Sequence, residues 1–227
     1  AHTVEAGVTT LLKGKQGQRL LIDASMGLGK SWVAMRALAR QLRPGQVVWV
    51  ASPTLALAEQ AAATFAEACR TLGRRGLAHL VLRGRGAPDP TAANRTMCVR
   101  AALAERLTGL SASVGELLCR PRQGPPCPHA AGCAYLAQQV KLSTLARHGG
   151  VLFVSHAHLF VQHALPAPDA VIIDESPLLT AIERGGLPLE TLAYARDEAP
   201  DGPLRRGLAE LVEGFGHAPD GGPARRQ

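Results

Sequence analysis

The stretch Ala24-Ser-Met-Gly27-Leu-Gly29-Lys30-Ser31 sets two glycines, a lysine and a hydroxyl at the spacing A/G-x4-G-K-S. Gly27 and Gly29 let backbone N–H groups turn inward around phosphates, Lys30 reaches the terminal phosphates, and the Ser31 hydroxyl is a ligand for Mg²⁺. The chemistry such a loop serves is binding of ATP with Mg²⁺. Far along the chain, Ala170-Val-Ile-Ile-Asp174-Glu175 is an apolar run that ends in two carboxylates. Asp174 suits Mg²⁺ held through its water shell, and Glu175 suits polarisation of an attacking water. Lys30, Asp174 and Glu175 are therefore the candidate catalytic set. An apolar strand ending in Asp-Glu is common by itself, and its pairing with the loop at 24–31 gives the hydrolysis reading its weight.

These residues need elements to hold them. Residues 19–24 are a short apolar run ahead of the Gly-rich turn, and 31–42 carry a helical pattern closed by Pro44-Gly45. The order strand, loop, helix is the setting a phosphate loop requires. A second strand is expected at 47–51, an Ala-rich helix at 55–72 and a third strand at 77–82. After an interval, the alternation resumes with a strand at 151–155, a short His-bearing helix and a strand at 170–174. Such alternation implies βαβ units in a parallel sheet, with ligands bound at the C-terminal ends of its strands. The expected organisation is an α/β domain in two parts, 1–83 and 150–183, interrupted by an insertion at 84–149. Residues 184–227 would continue as helix and loop, with a helical piece at 204–212. Trp32 and Trp49 are expected in the core, and His156 and His158 in structural roles. Thr54 is placed to cap the helix it precedes.

Four of the five cysteines, Cys98, Cys119, Cys127 and Cys133, fall within 84–149, separated by 20, 7 and 5 residues. In a reducing compartment such thiols are ligands or inert residues rather than disulfides. Cys69, inside the Ala-rich helix, reads as a small core residue. The other four lie in a Pro/Gly-broken, Arg-rich segment with few apolar residues, where a metal can supply the order that a core does not. Four thiolates, or three with His129, suit tetrahedral Zn²⁺, although zinc sites favour closer cysteine pairs. Arg83, Arg85, Arg95, Arg100, Arg120 and Arg122 surround the cysteines. Of these, Arg100, Arg120 and Arg122 are the candidate contacts to the phosphates of single-stranded DNA.

Taken in order, these segments resemble superfamily 2 nucleic-acid helicases, and more narrowly the iron–sulfur DNA helicases of the XPD/DinG type. Ala24 to Ser31 resembles motif I. Pro53-Thr54-Leu-Ala-Leu-Ala58-Glu-Gln60 is similar to motif Ia, and Asp174-Glu175-Ser176-Pro177 stands where motif II usually reads D-E-A-H. Ser155-His156-Ala-His-Leu159-Phe160 is similar to the N-H-x-L-L element of the iron–sulfur branch. Cys127-Pro-His-Ala-Ala-Gly-Cys133-Ala-Tyr135 resembles that branch's C-P-x4-C-P-Y text. The resemblance implies a RecA-like P-loop NTPase domain, interrupted by a Cys-rich insertion whose four cysteines hold a 4Fe–4S cluster in preference to zinc. It also implies ATP-driven 5′→3′ translocation on single-stranded DNA and unwinding of fork DNA, in replication or repair. Thr54 would touch a phosphate of the bound strand, and a second RecA-like domain is expected downstream. Ser176-Pro177 in place of Ala-His, and Ser155 in place of Asn, depart from the pattern. No Q-x-x-G-R element reads after residue 183, so the chain by itself is expected to hydrolyse ATP weakly.

Composition agrees with a folded protein. The 227 residues are 46% hydrophobic and 19% charged, which excludes a disordered chain, while 24 glycines and 16 prolines predict long loops. The net charge of +7 is uneven: residues 1–82 and 83–149 carry +6 each, and 150–227 carry −5. A polyanionic partner for the first two segments follows from that field. No apolar run approaches the ~18 residues of a membrane span, and the N-terminus lacks the layout of a signal peptide, so a cytoplasmic protein is expected. Two rival readings remain: a P-loop motor of the packaging or partition type with a zinc knuckle, and a catalytically inactive nucleic-acid-binding module.

Overall fold

In the computed structural model, the described residues are 2–14, 18–22, 29–109, 113–121, 124–160 and 165–175, with short helical pieces at 196–197, 205–206, 209–210 and 213. The most apolar runs become the centre of a sheet. Val47–Ser52 (β1) and Gly150–Ser155 (β3) pair in parallel, with His79–Val81 (β2) beyond β3 and Ala170–Ile173 (β4) beyond β1. The order is β2-β3-β1-β4. Both faces of the two central strands are covered, which is why they read as near-continuous Val, Leu and Phe rather than as alternating patterns.

Successive side chains of a strand point to opposite faces, and the two faces meet different helices. Val48, Val50, Val151 and Phe153 pack with helices α1 (His2–Lys13), α2 (Lys30–Gln41) and α3 (Leu55–Thr71). On the other face, Ala51, Leu152 and Val154 pack with Leu142. After β2 the chain makes an antiparallel bridge between Pro88 and Thr96, then α4 (Ala101–Gly109) and short helical turns at Gly115–Cys119 and Ala130–Gly132. Helix α5 (Ala134–His148), which carries Leu142, then returns to the sheet. Buried Gln138 fixes that return by bonding both backbone groups of Arg83, at 2.9 Å each.

Helix ends are closed by side chains and backbone. The stripe Ala58, Ala61, Ala62, Phe65, Ala68 and Cys69 buries one face of α3. Its C-terminus closes with Gly73 donating to Arg70 and Arg74 donating to Cys69. The Arg74 guanidinium then reaches across to the carbonyls of Ala39, Arg40 and Leu42, each at 2.7 Å, and caps α2. Between α5 and β3, Gly149 and Gly150 have φ of 79° and 146°. A Cβ on Gly150 would lie 2.4 Å from the Ala78 carbonyl oxygen.

Three expectations are corrected. Of the strand expected at 19–24, residues 23–24 lie outside the described residues and 19–22 do not form a strand: they pair with no described strand, Leu21 is 93% exposed and Leu20 48%. Strand propensity cannot act without a ladder partner, and β4 is the end of the described sheet on that side. Trp32 lies outside the core at 52% exposure, whereas Trp49 is half-buried and donates its indole N–H to the Pro166 carbonyl. The strand expected at 77–82 contracts to His79–Val81. A second compact unit covers Ile182–Gln227; within it Arg196 pairs with Asp197, and most of the helix expected at 204–212 lies outside the described residues.

Candidate functional site: a phosphate and magnesium site with a cysteine quartet

Gly29 opens α2 in the left-handed region, at φ 67°, and no atom of the described residues stands within 4 Å of where its Cβ would be. The open space leaves room for phosphates at the positive end of the helix. Its carbonyl accepts the first helical bond, from Val33 N–H at 3.0 Å. Lys30 and Ser31 are the first two helical residues. Gly27 lies outside the described residues.

The Ser31 hydroxyl donates to Asp174 Oδ2 at 2.7 Å, across 143 positions of sequence. Two hard oxygen ligands thus meet at the C-terminal edge of the sheet, the donor chemistry that Mg²⁺ requires. Asp174 is held there from two sides. Its backbone N–H donates to Ala51 at 2.9 Å, extending the β1–β4 ladder by one residue. Its carbonyl accepts from His156 Nε2 at 3.0 Å, and His156, at the end of β3, is only 1% exposed. That acceptor requires Nε2 to carry the proton. Ser155 Oγ and His158 Nδ1 sit 3.0 Å apart in the same turn. Glu175 is exposed and adopts φ 66°, an uncommon conformation for a side chain without local hydrogen-bonding compensation.

The other site residues divide. Thr54 is exposed and caps α3, its Oγ1 accepting from Leu57 N–H at 3.2 Å. Arg100 is half-buried and Arg120 exposed, while Arg122, Ser176 and Pro177 fall outside the described residues.

Cys98, Cys119, Cys127 and Cys133, between β2 and α5, come to one neighbourhood. Cys98 donates its N–H to Arg85 at 3.0 Å, Cys127 to Cys119 at 3.2 Å, and Tyr135 to Met97 at 3.0 Å, while Cys133 Sγ lies 3.8 Å from the Met97 carbonyl. The Cys119 thiol is pushed up, first by burial and then by the charges of Cys98, Cys133 and Cys127, against the opposing pull of Arg85. The Arg85 guanidinium stacks on Tyr135 at 3.9 Å, and its Nη1 is buried without a hydrogen-bond partner among the described residues. An unmatched cationic donor beside four thiols fits an anionic metal–thiolate group. Among the described residues, however, no three His, Cys, Asp or Glu side chains close into a metal-holding arrangement. The thiols share a neighbourhood without forming a coordination sphere. Cys69, by contrast, is buried in α3 and its thiol is pushed up by that burial, with Arg74 pulling the other way.

Residues 5–96 match the DEAD/DEAH box helicase family. The matched span holds Lys30, Ser31 and Thr54 and stops just short of Cys98. The match supports a helicase superfamily: an ATP-hydrolysing motor that uses Mg²⁺ and acts on nucleic acid. The parallel sheet, of four strands among the described residues, is consistent with a RecA-like helicase domain. No curated protein and no solved structure matches the chain. Among the described residues, no helix is long and apolar enough to cross a membrane.

Sequence reasoning did not assign His156 its role as the brace of Asp174. Its signal was present, since His156 opens the element similar to N-H-x-L-L just ahead of motif II. Arg85 was placed near the cysteines by sequence, but nothing local marks it as stacked on Tyr135 with a buried Nη1.

Proposed function

We propose that this chain is the nucleotide-binding motor domain of an iron–sulfur DNA helicase, moving 5′→3′ along single-stranded DNA in replication or repair. The observation that carries the reading is the Ser31–Asp174 hydrogen bond of 2.7 Å, which joins the phosphate loop to the acidic strand end. In this reading Gly27, Gly29 and Lys30 hold the phosphates of ATP, Ser31 and Asp174 hold Mg²⁺, and Glu175 polarises the attacking water. Arginine fingers come from a second RecA-like domain and contribute ~10³ or more in rate. Thr54, Arg100, Arg120 and Arg122 contact phosphates of the DNA strand without reading its bases.

Cys98, Cys119, Cys127 and Cys133 would hold the 4Fe–4S cluster. When bound, the cluster ties four separate segments of the insertion into one rigid unit. Support comes from the all-thiol donor set and from the unmatched Arg85 Nη1 beside it.

Two measurements on the full chain test the reading. Mg²⁺-dependent ATP binding is expected for the wild type and should be lost in Asp174→Asn; equal binding by both proteins would remove the site. Protein purified without oxygen should contain about four irons and four sulfides per chain, with a broad band near ~400 nm. About one zinc and no iron would replace the iron–sulfur reading with the zinc-bearing motor.

A further inference from the structure

A cleft of about 260 Å³ lies between α1 and α2, lined by Glu5, Trp32, Val33, Arg36, Ala37 and Arg40. Its position is set by sequence adjacency, because Trp32 directly follows the Ser31 that bonds Asp174. Helical residues step by roughly 100°, so the indole projects from a neighbouring face of α2 rather than toward Asp174. Trp32 is 52% exposed although the same helix buries Ala34, Met35, Ala37, Leu38 and Ala39. One helical turn on, the Arg36 guanidinium lies 4.6 Å above the indole ring. On the α1 side, Glu5 pairs with Arg40.

We infer that this cleft is the base subsite of the nucleotide, in which Trp32 stacks on the nucleobase of the ATP whose phosphates are held at the start of α2. The inference rests on the nucleotide site proposed above. Three features select this ligand. The volume is slightly below the ~300 Å³ at which ligand pockets begin, suited to a base rather than a larger group. The indole provides a flat apolar platform, and Arg36 can move from the ring to the outer face of a stacked base, since guanidinium planes favour aromatic faces. Glu5 is an acceptor with lone pairs beyond those used by Arg40, so it favours a base bearing an exocyclic amine. Adenine carries that amine; hypoxanthine carries a carbonyl in its place, which a carboxylate repels.

The test is titration of the full chain, with Mg²⁺, by ATP, ITP and inorganic tripolyphosphate, following tryptophan fluorescence and binding heat. ATP should quench fluorescence, tripolyphosphate should not, and ITP should bind more weakly than ATP. Trp32→Ala should weaken ATP about tenfold, the loss of one base stack, while leaving tripolyphosphate unchanged. Trp32→Phe should retain most of the affinity and serves if the alanine variant does not fold. Equal ATP affinity in wild type and both variants, or equal affinity of the wild type for ATP and tripolyphosphate, overturns the base subsite and leaves the phosphate site standing. If the wild type binds neither ATP nor tripolyphosphate, the phosphate site falls and the base subsite falls with it.

Discussion

Asp174 is useful only if its carboxylate stays within reach of Ser31, and a residue at a strand end has no second ladder to keep it there. His156 supplies the missing restraint, donating to the Asp174 carbonyl from a buried position in the short helical turn just after β3. Its replacement removes the side-chain donor from a part-buried carbonyl. His156→Ala is expected to cost about 1–3 kcal/mol of stability in chemical denaturation. The same variant should weaken Mg²⁺-dependent ATP binding about tenfold, the effect of loosening a ligand's support. His156→Gln, whose amide can donate to the same carbonyl, should recover much of that binding; no recovery would mean that His156 only fills space. The neighbourhood of Thr54 teaches a different lesson. Its hydroxyl already serves as the α3 cap, so any DNA contact is made by a side chain that is held in place by its structural bond.

At the scale of elements, the connection from α5 into β3 has little tolerance. Gly150 has φ 146° and passes so near Ala78 that a Cβ would meet its carbonyl oxygen at 2.4 Å. Backbone cannot give way as a flexible side chain does. Gly150→Ala should therefore cost at least about 3 kcal/mol, seen as a melting temperature lower by roughly 6–12 °C. Helix α2 carries Lys30 and Ser31 at one end and depends on Arg74 at the other. Arg74→Met keeps the aliphatic stem but removes a charged donor from three carbonyls. About 2 kcal/mol should be lost, and faster amide exchange should appear in the last turn of α2 before the first. How α2 and α3 form was legible in the apolar stripe, Thr54 and Pro44-Gly45, because capping and periodicity are local. The Arg74 cap was not, since its three acceptors lie 32–35 residues away.

Across the whole molecule, positive charge is concentrated in residues 1–149 and negative charge in 150–227. Binding to single-stranded DNA should therefore be dominated by phosphate contacts and fall with salt, with a log–log slope of about −0.7 per phosphate neutralised. Arg100→Ala should make that slope shallower by about 0.7 and weaken binding alike for all sequences. A slope indifferent to salt would sink the polyanion assignment. The charge pattern was plain in the sequence, but the grouping of Cys98, Cys119, Cys127 and Cys133 was plain only as an interval. Backbone bonds from Cys98 to Arg85 and from Cys127 to Cys119 accompany it, and those pairs depend on how the segment between β2 and α5 folds.

Sequence alone determined the α/β alternation from residue 47 onward, the acidic strand end and the spacing of a candidate phosphate loop, because each is written over a few residues. Tertiary structure decided what those pieces do together. Parallel pairing of β4 with β1 brings Asp174 to Ser31 and His156 to Asp174. The lack of a described partner strand leaves residues 19–22 outside the sheet, and Trp32 lines a cleft with Glu5 of α1 instead of entering the core. Local patterns encode what a segment prefers; strand order and packing, which act across the whole chain, choose its neighbours, and chemistry depends on neighbours.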